Sequence, residues 1–305
     1  MSEKIILLAG PTASGKSKLA IEIAKKIKGE IINADSMQVY KDFSVLSSRP
    51  TKADLKKITH HLYGFLSSKK HFSTGAWLSL VKEKIELCLK KKKVPILVGG
   101  TGLYFEAITK GMSKIPNIDF RLRNKARTLQ AKLGQQEFYK ELVKVDPLVK
   151  NKIEPFDTQR SIRAYEVKKF TKKSLFEWFA NTKSLFKQED FIKIYIEYPR
   201  SKLISKINKR VERMIKSGAI IEVKKFKKMN VNLSNSSNKL IGINEIEQYL
   251  KEVISLEKMI ELISIRTRQY AKRQSTWSRG QMKDWKKIST NNLNFFLLSL
   301  KLVQN

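Results

Sequence analysis

The chain has 305 residues, 41% hydrophobic and 30% charged, which suffices for one large core or two modest ones and excludes disorder as the default state. Lys and Arg total 62 against 28 Asp and Glu; the resulting net charge of +34 exceeds what solubility requires and favours polyanionic partners, nucleic acid first. A single cysteine, Cys88, excludes a disulfide framework and a cysteine-based zinc site within one chain, and His60, His61 and His71 lack metal-ligand spacing.

The N-terminus passes from MSEK into a strand-like run without the pattern of a signal or transit peptide. No uninterrupted apolar run reaches the about 20 residues that span a membrane. A cytoplasmic protein with no membrane partner is therefore expected. Three apolar, β-branched runs that end in glycine or small polar residues are predicted strands: KIILLAG (4–10), GEIINADS (29–36) and KVPILVGG (93–100). Helix-period segments separate them; after the first run, Leu19, Ala20, Ile23, Ala24 and Ile27 fall on one helical face. Strands alternating with helices argue for a parallel sheet covered by helices, an α/β fold.

Between the first strand and its helix stands GPTASGKS, Gly10 to Ser17, which fits G-x-x-x-x-G-K-[ST]. Gly10 and Gly15 permit the tight turn and the backbone of Pro11, Thr12, Ala13 and Ser14 completes it. Lys16 can neutralise phosphate oxygens, the Ser17 hydroxyl can ligate Mg2+, and the helix N-terminus favours anionic charge. Most such loops hold ATP or GTP, and the motif alone does not choose the phosphate.

In NADSMQVY, Asp35 falls at the C-terminal end of the second strand, where open α/β sheets present groups to a ligand. A carboxylate there serves as magnesium ligand or general base, or equally as a helix N-cap, with Ser36 as the competing cap. GGTGLY, Gly99 to Tyr104, places glycines and the Thr101 hydroxyl at the end of the third strand, either as a structural turn or as a second glycine-rich turn that would frame one pocket with the first.

From 113 to 190 the strands give way to Lys-rich helical segments (FRLRNKARTLQAKLG, EFYKELVKV, FDTQRSIRAYEVKKF), which predict a helical insertion between core segments 1–112 and 191–305. There Arg160 and Arg163, three apart, share a helical face that can grip successive phosphates. FIKIYIEY (191–198) returns the chain to the sheet, NVNLSNSSNK (230–239) reads as a polar loop, and the rest as helices with a basic C-terminal region. In RTRQYAKRQSTWSR, Arg266, Arg268, Lys272, Arg273 and Arg279 interleave with Tyr270 and Trp277, cations and aromatics suited to RNA backbone and base stacking or, equally, to a solvated helix over a core.

GPTASGKS, DSMQVY, the HHL of His60 to Leu62, LVGGTGLY, DxQRxIRAxEV and TRQYAKRQxTW stand together in the order and about the spacing of the tRNA dimethylallyltransferases (tRNA isopentenyltransferases), which the chain resembles from residue 5 to about 280. The resemblance implies a P-loop NTPase-like fold whose loop holds dimethylallyl diphosphate with Mg2+. It implies transfer of the five-carbon group to N6 of the adenine 3′ to the anticodon, in tRNAs reading codons that begin with U, with release of diphosphate. It makes Asp35 the base and assigns Lys16, Arg210 and Thr101 to catalysis. Adenine recognition falls to Asp35, Ser36, Met37 and Gln38, and anticodon-loop contact to Gln159, Arg160, Ser161, Ile162 and Arg163. Thr101, Arg123 and Arg273 are further RNA-side residues, and the insertion clasps the anticodon stem-loop of a monomeric enzyme.

Two stretches depart from the family pattern: Glu154, Pro155, Phe156, Asp157 where His-Pro-Asn-Asp is frequent, and IGINE (241–245) where an aromatic and a basic residue follow the glycine. Two other readings remain open on the residues: a small-molecule kinase in which Asp35 activates a hydroxyl, and a non-catalytic RNA-binding protein.

Overall fold

A computed structural model describes residues 4–289. Six strands form one parallel sheet in the order β3-β2-β4-β1-β5-β6: β1 (Ile5–Ala9), β2 (Gly29–Asn33), β3 (His60–His61), β4 (Val94–Gly99), β5 (Phe191–Glu197) and β6 (Lys286–Ser289). The helices are α1 (Lys16–Lys26), α2 (Lys52–Lys57), α3 (Thr74–Lys90), α4 (Gly102–Lys110), α5 (Phe120–Val145), α6 (Thr158–Thr171), α7 (Leu175–Ala180), α8 (Arg200–Lys216), α9 (Ala219–Lys228), α10 (Ile243–Leu250) and α11 (Leu256–Gln281). Every residue of β1 and β2 is buried, as a parallel sheet covered on both faces requires.

The four strands read from sequence are present. The edge strands β3 and β6 were not read; at two and four residues they are too short to show a period, and they exist because β2 and β5 offer them a register (Ile31 with His60, Ile196 with Ile288). The C-terminal remainder, read as helical throughout, is thus corrected at Lys286–Ser289; residues beyond 289 lie outside the described ones.

The chain divides into two units: residues 1–107 with 186–305, and residues 108–185. In the first, α1 lays Leu19, Ala20, Ile23 and Ala24 on Ile6, Leu8, Ile31, Ile96 and Ile194 of the sheet. A second cluster joins Val39 to Leu46 with α8, α9, α10 and α11 through Phe43, Ile207, Val211, Phe226, Ile246 and Ile263. The 230–239 loop is held rather than loose: Asn235 and Ser237 are buried, and both donate to the Ser68 carbonyl, at 3.1 and 2.9 Å.

The second unit is helical around Leu142, Val149, Ile153, Ala164 and Val167. Within α5 the backbone leaves the helix at Gly134 (φ 73°), where the sequence ends one Lys-rich segment and starts the next. The division lies at 108 and 185, whereas the sequence placed it at 113 and 190.

At the β3 edge, His61 Nε2 meets Glu30 Oε2 at 2.6 Å and the buried Cys88 thiol donates to the same oxygen at 3.6 Å. These three ligand-type groups come from β3, β2 and α3, so no local spacing could reveal them. Burial alone would raise the Glu30 pKa; the His61 hydrogen bond and charge outweigh it and hold it below its usual value. Burial and Glu30 push the Cys88 thiol up to about 12, so the group closes as a hydrogen-bonded triad.

Candidate active site

β2, β4 and β1 are neighbours in the sheet, with Asn33 paired to Val98 and Ala9 to Gly99. The loops after all three therefore open side by side at the carboxyl end of the strands, where such sheets bind ligands. The phosphate loop after β1 turns with Ala13 (φ 63°) and Gly15 (φ 90°) in the left-handed region. A Cβ on Gly15 would meet nothing within 4 Å, so the glycine is required by conformation, not by space. Holding Ala13 there costs backbone strain of about 1 kcal/mol, accepted where the loop must point its amides at a ligand.

Not all of those amides are available. Thr12 N–H donates to Gln274 Oε1 at 2.8 Å and Ser14 N–H to the Pro11 carbonyl at 3.2 Å. An anion cradle therefore falls to the N-terminus of α1, the amides around Gly15, Lys16 and Ser17, whose first-turn N–H groups have no intrahelical acceptor. Ser14 Oγ is buried without a hydrogen-bond partner, and the Ser17 hydroxyl stands exposed on the first turn of α1.

Two cations flank the loop. Lys16 Nζ donates to the Pro11 carbonyl at 3.2 Å, and burial lowers its pKa to about 8, with Asp35 opposing and Arg210 adding to the shift. Arg210, from α8, donates Nη1 to Thr12 Oγ1 at 3.0 Å; burial lowers its pKa while the charge of Asp35 raises it. Asp35 thus lies within electrostatic reach of both cations.

Asp35 caps no helix: α2 begins at Lys52. Its Oδ1 accepts from Met37 N–H at 2.9 Å, and its own N–H donates to Asn33 Oδ1 at 2.8 Å, a local turn that leaves the acid half-buried. Ser36 N–H donates to Thr101 Oγ1 at 2.9 Å, and Gln38 Nε2 donates to the carbonyls of Ser47 and Ser48, both at 3.0 Å. Below this turn, Trp77 donates to the Asn33 carbonyl at 2.9 Å and stacks on Tyr104 at 4.1 Å between ring centroids. Burial first, then the Asp35 charge, raises the pKa of Tyr104, Tyr63 and Tyr270 above the usual tyrosine range, so the acid is ringed by neutral phenols.

A cavity of about 310 Å³ opens between these turns and α11, lined by Gly10, Ser36, Thr101, Tyr270, Arg273 and Trp277 among others. Arg273 lies 5.8 Å from the centre of the Tyr270 ring. Gln274 is the residue that sequence reasoning missed as a site-builder, and Trp277, expected as a stacking or core aromatic, packs on the GGTG turn. A Cβ on Gly100 would meet Gln274 Nε2 at 2.1 Å and one on Gly102 the Trp277 ring at 2.4 Å, while one on Gly99 would strike the Ala34 carbonyl at 1.9 Å. The glycines of the GGTG turn are therefore the imprint of α11 and of β2 approaching it, a signal readable only once partners are known.

In the helical unit, Asp157 caps α6 by accepting from Arg160 N–H at 3.0 Å. Gln159 and Arg160 are exposed, and Arg163 is half-buried with Nη1 3.4 Å from Glu166 Oε2. Ser161 is buried, and its hydroxyl accepts from Gln135 at 3.2 Å, so its side chain faces the unit's interior; Ile162 is half-buried. Arg123, on α5, is half-buried with a buried Nε that has no partner. Phe156, in the departing EPFD stretch, is 73% exposed. In IGINE, Gly242 takes φ 106° under Leu46, and Glu245, buried, meets Arg266 Nε at 2.6 Å, so this departure carries its own internal charge pair.

The family model described as IPP transferase matches residues 38–281. The chain is 55% identical over 298 residues, 98% of its length and 95% of the relative's, to a tRNA dimethylallyltransferase of Pelagibacter ubique. It is 42% identical to that of Rickettsia massiliae, covering 98% of this chain and 83% of the other. Among solved structures it superposes with TM-score 0.81 and 29% identity on a eukaryotic dimethylallyltransferase acting on tRNA, over 94% of this chain and 74% of that one. It superposes with TM-score 0.68 and 28% identity on a tRNA isopentenylpyrophosphate transferase of Bacillus halodurans, over 99% and 100%. A phosphate loop, an acid and a GGTG turn side by side, in a chain matched nearly end to end by these proteins, place it in the tRNA dimethylallyltransferase (IPP transferase) family.

Proposed function

We propose that the chain transfers a dimethylallyl group from dimethylallyl diphosphate to N6 of the adenine 3′ to the anticodon, in tRNAs reading codons that begin with U. The observation that carries the reading is the placement of Asp35 within the field of Lys16 and Arg210, beside a cavity walled by Thr101, Tyr270 and Trp277. That arrangement supplies a base next to a site for a large polyanion. The diphosphate oxygens would lie against the N-terminus of α1, Lys16 and Arg210, and the adenine against the turn carrying Asp35, Ser36 and Thr101.

In the reaction the allylic C–O bond breaks and its electron pair leaves with the diphosphate, while the N6 lone pair forms the new C–N bond. The exocyclic amine is a poor nucleophile because its lone pair is delocalised into the ring. Removal of its proton as the bond forms lowers the barrier, and Asp35 takes that proton through the carboxylate oxygen not used by Met37 N–H. Lys16 and Arg210 stabilise charge developing on the leaving group. The donor set fits Mg2+: an exposed Ser17 hydroxyl beside phosphates is the hard-oxygen, part-hydrated environment that this ion takes, unlike the mixed Glu30–His61–Cys88 group. Mg2+ held there would neutralise diphosphate charge.

A base inside a stacked anticodon loop cannot enter such a cavity, so the target must be extruded, with contacts elsewhere paying for the unstacking. Gln159, Arg160 and Arg163 on α6, with Arg123, are the residues proposed to grip the anticodon stem-loop; Ser161 and Ile162 support them from within. Among the described residues no helix is long and apolar enough to cross a membrane. A charge of +34 opposes self-association, and a monomeric cytoplasmic enzyme is the accompanying reading.

The test is transfer of label from dimethylallyl diphosphate, with Mg2+ and no ATP, to an anticodon stem-loop with adenine or guanine at the 3′-adjacent position. Labelling of the adenine substrate alone is expected. Absence of labelling, repeated with full-length tRNA, would overturn the reading and favour phosphoryl transfer from ATP.

A further inference from the structure

A set of hydrogen bonds between the turns around the pocket serves no residue role given above. Gln274 sits at its centre. Its Oε1 accepts from Thr12 N–H at 2.8 Å and its Nε2 donates to the Gly100 carbonyl at 2.9 Å, so one carboxamide ties the phosphate loop after β1 to the GGTG turn after β4. Nε2 approaches Gly100 so closely that a methyl group there would overlap it.

The contacts continue on both sides. The GGTG turn continues into Thr101, which lines the pocket together with Tyr270, one helical turn before Gln274 on α11. Thr101 Oγ1 in turn accepts from Ser36 N–H at 2.9 Å and lies 3.3 Å from Ser36 Oγ, next to Asp35. On the other side Thr12 Oγ1 receives Arg210 at 3.0 Å. Contacts thus run from the diphosphate side (Arg210, Thr12) through Gln274 to the GGTG turn, and from Thr101 in that turn to Ser36 beside the acid.

We propose that Gln274 is a positioning residue that fixes the separation and orientation of the diphosphate loop relative to the Asp35 turn, through Thr12 and Gly100 directly and onward through Thr101 of the same GGTG turn, which holds Ser36. The inference rests on the reading of this pocket as a diphosphate and adenine site. Its physical basis is that a carboxamide accepts from Thr12 N–H and donates to Gly100 O in one plane at any pH, without adding charge beside the diphosphate. Transfer between two substrates bound on different loops is sensitive to their mutual placement, and a misplacement of about 1 Å costs on the order of 10²-fold.

Two variants of the full chain test this. Gln274→Met keeps length and removes both hydrogen bonds; it is expected to lower kcat on the order of 10- to 100-fold with KM for tRNA within about twofold. Gln274→Glu is the discriminating one. Ionised, its carboxylate accepts from Thr12 but repels the Gly100 carbonyl; protonated, it accepts with its C=O and donates with its O–H, restoring both bonds. Its activity relative to wild type should therefore rise as pH falls from about 8 to about 5.5, towards the usual carboxyl range, as the protonated fraction grows. The ratio to wild type at each pH is the readout, because the groups facing the pocket (Lys16, Asp35, Tyr270, Arg273 and Arg210) are common to both enzymes. Melting temperatures, and binding of inorganic pyrophosphate followed by calorimetry, show whether each variant is folded with its loop intact.

A Gln274→Met enzyme with wild-type kcat, or a Gln274→Glu to wild-type ratio flat in pH, overturns the inference, because packing alone is then enough. Wild-type protein that binds pyrophosphate yet transfers nothing to adenine marks failure of the underlying reading and removes the positioning role with it.

Discussion

At the scale of single residues, the site is defined by the charge arrangement around Asp35. Asp35→Asn keeps the shape and the Met37 contact and removes the base; transfer should fall by about 10²–10⁴-fold while pyrophosphate and tRNA binding persist, as single-turnover rates against filter binding would show. Lys16 makes a second prediction. Its pKa is depressed to about 8, so the free enzyme holds the ammonium below that pH and loses it as pH rises through it. kcat/KM for the diphosphate donor should therefore fall from pH 7 to pH 9, and donor binding near pH 8 should take up protons, which calorimetry in buffers of different ionisation enthalpy detects. A donor kcat/KM flat across this range would remove the ammonium from binding.

Among the secondary-structure elements, the decisive one is α11. It carries Tyr270, Arg273, Gln274 and Trp277 to the GGTG turn, and the turn's glycines are shaped by it. Gly102→Ala puts a methyl group 2.4 Å from the Trp277 ring; such overpacking typically costs about 1–3 kcal/mol. The double variant Gly102→Ala with Trp277→Leu should recover part of that stability, measured as a coupling in urea unfolding, because the smaller side chain vacates the overlap. Additive losses would place the strain elsewhere. Trp77 is the comparable anchor on α3: fully buried, bonded to the Asn33 carbonyl and stacked on Tyr104, it fixes the β2 end that presents Asp35. Trp77→Phe, which keeps the stack and drops the hydrogen bond, should cost roughly 1–3 kcal/mol in the same unfolding measurement.

For the whole molecule, the net charge of +34 sets the terms of association with RNA. Binding of tRNA should weaken steeply with salt. Charge reversal of Arg160 and Arg163 together should flatten the log–log slope by up to about two phosphate contacts' worth. Arg160, its side chain 69% exposed, should account for more of that change than Arg163, which is 38% exposed against the buried Glu166. An unchanged slope would dissociate α6 from the RNA.

The central strands, the phosphate loop and the alternation of helices are legible in the chain alone, because they depend on local runs of apolar residues and on a motif whose Gly15 answers to local backbone geometry. The sequence also marked Asp35, since a carboxylate at a strand's end needs only the strand boundary to be noticed. Tertiary structure alone decided what surrounds them. The Glu30–His61–Cys88 group, the Arg210–Thr12 bond and the Gln274 bridge join residues 31 to 262 positions apart. The edge strands exist only where a neighbour offers register, and Ser161 faces inward because Gln135 meets it there. Local chemistry writes the elements and their motifs into the chain, whereas the partner of each polar side chain is chosen by the packing that brings distant segments together.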